Sequence, residues 1–155
     1  MAASPSEMGD TLMIVTSILN TKGRTVRHVP VDVTVRDAAR FLCEHGIGAA
    51  VVLDPSGGPA GVFSERDVLK AVAEKGGRAM ALTVGDLMSR NVMTCAPDDS
   101  IEHVMEIMTE NRVRHLPVVA NGVVIGVVSI GDVVKSRIAE AETEASALKA
   151  YIASG

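Results

Sequence analysis

The chain has 155 residues, a net charge of −4 and 47% apolar residues, with Phe41, Phe63 and Tyr151 as its aromatics. That length buries one core but falls short of two independent domains of ordinary size, so two intimate halves are predicted. The acidic balance and the scarcity of aromatics argue against nucleic-acid binding, and no apolar run approaches the roughly 20 residues of a membrane helix.

Residues 1–11 are polar, with Pro5 and Gly9, and read as a loose leader. No basic region followed by an apolar core opens the chain, which predicts a cytoplasmic protein. After an extended segment at Val26 to Val29, Thr34 and Asp37 form a capping pattern, and Val35, Ala38, Ala39 and Leu42 then share one helical face. A buried strand follows from Ala49 to Leu53, then the loop Pro55-Ser-Gly-Gly-Pro59 and a second strand ending in Gly61-Val-Phe-Ser64. A helix begins after Ser64 and meets Gly76-Gly77 at its end.

The same order then recurs. A short extended segment spans Val92 to Cys95, Ser100 stands where Thr34 stood, and Ile101, Val104, Met105 and Met108 repeat the helical spacing. A strand over Leu116 to Val119 and the hairpin dipeptide Asn121-Gly122 lead to Gly126-Val-Val-Ser129. Gly61 to Lys70 and Gly126 to Lys135 agree at six of ten positions. A duplicated unit of about 65 residues implies pseudo-twofold symmetry, in which equivalent residues of the two copies face each other. The fold class is therefore mixed α+β, each copy reading strand, helix, strand, strand, helix. The boundaries are 12–78 for the first repeat, 79–85 for a connector, 86–142 for the second repeat and 143–155 for a C-terminal helical tail.

In that extended last helix Val134, Ile138, Ala141, Ala145, Leu148 and Ile152 alternate spacings of four and three, a narrow heptad-like seam. Packing against its own domain and pairing between two subunits both satisfy such a seam. Cys43 and Cys95 have no second ligand pair nearby, which predicts reduced, buried thiols and neither a disulfide nor a zinc site. His28, His45, His103 and His115 share no helix face, so no metal site is expected. No cysteine-histidine arrangement suggests catalysis. The pair Ser-x-x-Asp at Ser64 and Asp67, and at Ser129 and Asp132, serves equally as a helix cap and as a ligand-binding carboxylate at a helix start.

The segments Val92-Met-Thr-Cys-Ala-Pro-Asp-Asp-Ser-Ile101, Arg112-Val-Arg-His-Leu-Pro-Val-Val119, Phe63-Ser-Glu-Arg-Asp67 and Val128-Ser-Ile-Gly-Asp132, in order and in duplicate, resemble a tandem pair of cystathionine-beta-synthase (CBS) domains, or Bateman module. The resemblance covers about residues 12 to 140 and is nearest to small stand-alone bacterial CBS-pair proteins. It implies a non-catalytic regulatory module that binds AMP, ADP, ATP, NAD(H) or S-adenosylmethionine in clefts between repeats, a homodimer in a head-to-head disk, and a target protein on another chain.

By the same resemblance Asp67 and Asp132 hold ribose hydroxyls, and Thr94, Cys95 and Ala96 flank the adenine. His115, Leu116 and Pro117 line the same kind of cleft. A carboxylate accepting ribose hydroxyls contributes on the order of 1.5 to 3 kcal/mol per hydrogen bond, and the adjacent helix start offers free amides to a phosphate. Ser64 and Ser129 add hydroxyl donors, Arg66 adjoins the first helix start, and Arg112, Arg114 and His115 are phosphate neighbours in the second copy. The first copy supplies His28, Pro30, Ala49 and Ala50 instead. It departs from the family pattern at His28, where Thr is usual, and at Val31, where Pro is usual. Gly131 stands where the first copy has Arg66, so the two clefts differ in charge. The competing reading is a dimerising interaction subunit with degenerate clefts. A hydrolase would need an acid-base pair that is not found.

Overall fold

The structure, a computed structural model, describes residues 13–154. In chain order the elements are α1 (Val15–Lys22), β1 (His28–Pro30), α2 (Val35–His45), β2 (Ala49–Leu53), β3 (Pro59–Ser64), α3 (Glu65–Lys75), a 3-10 helix (Gly76–Ala81), α4 (Val84–Leu87), α5 (Ile101–Asn111), β4 (His115–Ala120), β5 (Val123–Ser129) and α6 (Ile130–Ser154). This is the expected mixture of helix and strand, with the long last helix in place. The chain divides into two compact units.

One unit holds residues Thr25–Thr94 and Val119–Ile125. Its sheet runs β1-β2-β3, with β1 parallel to β2 and β2 antiparallel to β3. Thr34 caps α2 by accepting the Asp37 amide at 3.2 Å, and α2 turns Val35, Ala38 and Leu42 inward. These pack with Val29, Ala50, Val52, Phe63, Val84 and Met88 in one core. The loop before β3 is held by Asp54, whose Oδ1 accepts from Ser56 N, Ser56 Oγ and Gly58 N at 2.9, 2.6 and 2.9 Å. Two short helical turns, the 3-10 helix and α4, carry the chain on from α3. Cys43 is exposed, not buried as the sequence suggested, because the face of α2 that enters the core is that of Ala38 and Leu42.

The other unit holds residues 13–24, Cys95–Val118 and 126–154. Helix α1 lies within the first repeat's span of the sequence, yet it docks here. Val15 N donates to Asp99 O and Thr16 N to Pro97 O, both at 2.9 Å, and Ile14 bridges Ser100. Val15, Ile18 and Leu19 are buried, as are Ile101, Val104 and Met108 of α5, Leu116 and Val118 of β4, Val128 of β5 and Val133 of α6. The extended segment expected at Val92 to Cys95 is no strand; it narrows to a single parallel bridge between Cys95 and Val118. Pro97, two residues on, has no amide with which to extend that bridge beyond Ala96. The β4–β5 hairpin turns through Asn121 and Gly122, at φ 54° and 79°, the left-handed pair that a two-residue hairpin needs.

The duplicated glycines have a shared physical reason. A Cβ on Gly61 would lie 2.7 Å from both Met88 Sδ and Ser89 O, and one on Gly126 would lie 2.8 Å from Leu19 Cδ2. In each unit a neighbouring segment crosses the last strand where only glycine leaves room.

Helix α6 spans 25 residues and buries Val133 and Ser136. Every residue from Ala141 to Ser154 is exposed, so the tail does not pack back on its own unit. Phe63 is fully buried at the centre of the first core. Phe63→Ala is expected to cost about 3–5 kcal/mol, read as a lowered urea midpoint with an unchanged m-value.

Candidate functional site

Both capping pairs form. In the unit of β1–β3, Asp67 Oδ2 accepts from Ser64 N at 2.8 Å and from Ser64 Oγ at 3.2 Å, while Asp67 N donates to Ser64 Oγ at 3.3 Å. In the other unit Asp132 Oδ2 accepts from Ser129 N at 2.8 Å, and Asp132 N donates to Ser129 Oγ at 3.1 Å. Each pair is a reciprocal cap that satisfies the free amides of a helix start. The amide after the serine is tied across the unit in the same way twice, Glu65 N to Gly48 O at 2.9 Å and Ile130 N to Arg114 O at 2.8 Å.

That second tie gathers a polar cluster. It sets Arg114 and His115, at the start of β4, beside Ser129 and Asp132 at the start of α6. Cys95 N donates to Pro117 O at 3.0 Å, bringing Cys95 and Ala96 alongside Leu116 and Pro117. Ala96 N donates to Asp99 Oδ2 at 2.8 Å, which fixes the turn on which α1 begins. At its other end α1 delivers Lys22, whose Nζ donates to Asp132 Oδ2 at 2.7 Å and to Val127 O at 3.0 Å. Sequence reasoning did not find Lys22. It lies 110 positions from Asp132, and no local pattern marks it.

The Asp132 side chain is 17% exposed and that of Lys22 is 38% exposed. Burial alone would raise the Asp132 carboxyl; hydrogen bonds from Lys22 and Ser129, together with the Lys22 charge, outweigh it and hold the group below the ordinary aspartate value. His115 is pulled below the usual histidine range, first by desolvation of its ring and then by the Lys22 charge, with Arg114 adding and Asp132 opposing. The buried Cys95 thiol is pushed up to about 12 by desolvation, with Asp99 adding, so it is an inert wall and not a nucleophile. Among the described residues no donor reaches Asp132 Oδ1, and Arg112 and Arg114 have no ion-pair partner.

Arg112 carries a second signal. It ends α5 in the left-handed conformation, φ 55° and ψ 41°, and its counterpart ending α2 is Gly46 at φ 62°. Glycine adopts this conformation without the penalty a side chain incurs.

The β1–β3 unit assembles its candidates differently. Ala49 pairs with Ser64 and Ala50 with Phe63, so both alanines sit beside the capped helix start. His28 and Pro30 lie on β1, one strand over, opposite Val51 and Leu53. His28 Nδ1 approaches Val26 O at 3.1 Å. Arg66 is exposed on the first turn of α3 and has no ion-pair partner among the described residues. Thr94 ends the first segment of this unit, while Cys95 and Ala96 are counted with the other.

The CBS domain family model matches residues 15–74 and 84–139. The chain belongs to the CBS-domain family. It is 34% identical over 161 residues to the mitochondrial CBS domain-containing protein CBSX3 of Arabidopsis thaliana, covering 99% of this chain and 78% of that one. A CBS-domain containing protein of Agrobacterium tumefaciens superposes with a TM-score of 0.74 at 45% identity, over 80% of this chain and 92% of that one. A CBS domain protein of Pyrobaculum aerophilum complexed with AMP superposes with a TM-score of 0.68 at 28% identity, over 77% of this chain and 89% of that one. The resemblance drawn from the duplicated motifs thus holds, as does the fold class.

The depressed histidine and aspartate set the pH response. Above about pH 6.5 a neutral His115 costs nothing in either state; below it the unfolded chain takes up the proton more readily, so stability falls as pH drops toward the lowered folded value. Asp132 contributes stability that is present above 3.8 and lost as pH falls through its folded value. Unfolding midpoints measured from pH 7 to pH 5 are expected to decline, and His115→Gln to flatten that decline. An equal decline in the variant would show that other groups govern it.

Proposed function

We propose that the chain is a non-catalytic regulatory module that binds an adenosine-containing ligand, AMP, ADP, ATP or NAD(H), and passes on a conformational change. The observation that carries this reading is Asp132: a half-buried carboxylate held ionised at a helix start, one oxygen spent on the cap and Lys22, the other unpartnered among the described residues. Two ribose hydroxyls are donors of the right kind for that free oxygen. In this reading Lys22, Arg112, Arg114 and the Ser129 hydroxyl meet phosphate charge, and adenine lies against Cys95, Ala96, His115, Leu116 and Pro117. Hydrogen bonds to a charged group are the strong class, which suits a ribonucleotide over its deoxy counterpart. The AMP complex of the Pyrobaculum aerophilum relative supports the ligand class. Ligand that binds one conformation more tightly raises its population, and that shift is the signal.

The β1–β3 unit is the weaker site in this reading. Asp67 has its capping serine but no lysine partner among the described residues, and Ala49 and Ala50 replace His115 and Leu116. His28, Pro30, Ser64 and Arg66 complete it, with Thr94 counted in the same unit. A homodimer belongs to the proposal. The exposed Leu69 and Val72 of α3, beside Ile47 and Cys43 in a groove of about 560 Å³, support it. The unpaired thiols fit the cytoplasm, where disulfides are rare. A separate target protein receives the signal.

A thermal-shift panel with adenine ribonucleotides, their deoxy forms and guanine nucleotides tests this. A ligand at a hundred times its Kd stabilises the native state by about 2.7 kcal/mol, a readily seen shift. Adenine ribonucleotides are expected to raise the melting temperature, and Asp132→Ala to weaken binding about 10- to 100-fold while the chain stays folded. No shift with any nucleotide would transfer the chain to the interaction-subunit reading. Arg112→Gly separates charge from structure: relieving the left-handed arginine should hold or raise stability by up to about 1 kcal/mol while binding weakens. Unchanged affinity in that variant would remove Arg112 from the site.

A further inference from the structure

Helix α6 has two faces with different fates. Val133, Ser136 and the half-buried Glu140 form the stripe that meets the unit; Ser136 is buried and Glu140 Oε2 accepts the Met13 amide at 3.3 Å. About a third of a turn away run Val134, Ile138, Ala141, Ala145, Leu148 and Ile152, all exposed. Ile138, Leu148 and Ile152 are 53, 59 and 66% exposed, high values for side chains of this kind. In heptad lettering the unit takes c and f, while a (Ile138, Ala145, Ile152) and d (Val134, Ala141, Leu148) face away. The segment beyond Ala141 is about three turns with nothing buried, a length that is marginal for a helix in water unless another surface covers it.

The flanking charges identify the cover. Arg137 and Glu144 stand at g, and Glu142 and Lys149 at e. In a parallel, in-register pair each g residue meets the e residue five positions on in the partner helix. Arg137 then meets Glu142, and Glu144 meets Lys149, so every such contact pairs opposite charges, twice over by symmetry. An antiparallel pair centred on 143 would instead set Glu142 against Glu142 and Lys135 against Lys149. Isoleucine at a with leucine at d favours two strands, and the alanines at 141 and 145 allow close approach.

We propose that the a/d stripe of α6 is a dimerisation seam that pairs in parallel, in register, with the same stripe of a second copy of this chain. The pairing deepens the homodimer of the reading above by giving it a further surface besides the α3 groove, and it is independent of the ligand. It joins the two α6 helices, whose first turns carry Asp132, so the nucleotide sites of two copies share one rod.

Cysteine scanning of the full chain tests it in a Cys43→Ser background. Ala141→Cys puts the two thiols at facing d positions, within the Cα separation a disulfide spans, whereas Thr143→Cys at f points them apart. Under mild oxidation Ala141→Cys is expected to give a covalent dimer at least about tenfold faster than Thr143→Cys. Leu148→Glu, on an exposed residue that folding does not need, should abolish that cross-link. Arg137→Glu should slow it, and adding Glu142→Arg should restore it. Sedimentation of the unmodified chain should give a dimer mass. A dimer whose Ala141→Cys variant fails to cross-link overturns the seam and leaves homodimerisation to another surface. A monomer overturns both and gives the face to a different helix or to lipid, and equal cross-linking at 143 overturns the register.

Discussion

In each unit the last strand runs into a helix through a corner held by one backbone bond, from Glu65 N to Gly48 O or from Ile130 N to Arg114 O. That bond fixes the helix start beside the beginning of the central strand. The remaining free amides need acceptors, and the aspartate of Ser-x-x-Asp turns back to provide one. The helix dipole favours negative charge at that end, and at Asp132 hydrogen bonds from Lys22 and Ser129, with the Lys22 charge, hold the partly buried carboxyl below the ordinary aspartate value. The glycine three residues before the serine lets a neighbouring segment close over the strand. Strand order, helix direction and carboxylate position all follow from this corner, which explains why the segment is the best preserved part of the duplication.

Capping and ligand binding, which the bare spacing sets up as rivals, are compatible in this geometry. The cap uses Asp132 Oδ2, and Oδ1 stays free among the described residues. A capped carboxylate is already ordered, so a ligand that used it would lose no further side-chain entropy in arranging it. The proposed ribose contact therefore draws on an arrangement that folding has already made.

The features legible in the sequence are those with local causes. Thr34 and Ser100 cap their helices, Ala49 to Leu53 is a strand to the residue, and Asn121-Gly122 makes the hairpin turn. The family motifs rest on the same local pieces. What escaped was set by distant contacts or by competition between faces. The seat of α1 against Pro97 and Asp99 is a matter of tertiary docking, and it alone brings Lys22 to Asp132. Cys43 has the composition of a buried residue, but the core had room only for the neighbouring face of α2. The second copy's opening strand shrinks to a bridge because Cys95 alone of that segment pairs with β4. Arg112 reads as a charge in the sequence, and only its backbone angle reveals that it occupies a glycine's place.

Lys22 is one asymmetry between two corners that match in their caps. A salt bridge this open to water contributes about 0–1 kcal/mol, since solvent screens it and the lysine loses rotamer freedom. That is too little to anchor α1, whose apolar residues Val15, Ile18 and Leu19 do so instead. It is also too little to block a ligand, because a phosphate group can take over the ammonium at small cost once a ribose hydroxyl donates to the carboxylate. The pair is thus strong enough to keep Asp132 ionised and to hold a cation at the helix start, and weak enough to be exchanged. In the proposed reading that combination gives this corner a positive charge for a phosphate, and because Asp67 has no such partner among the described residues, one site per chain is the dominant one.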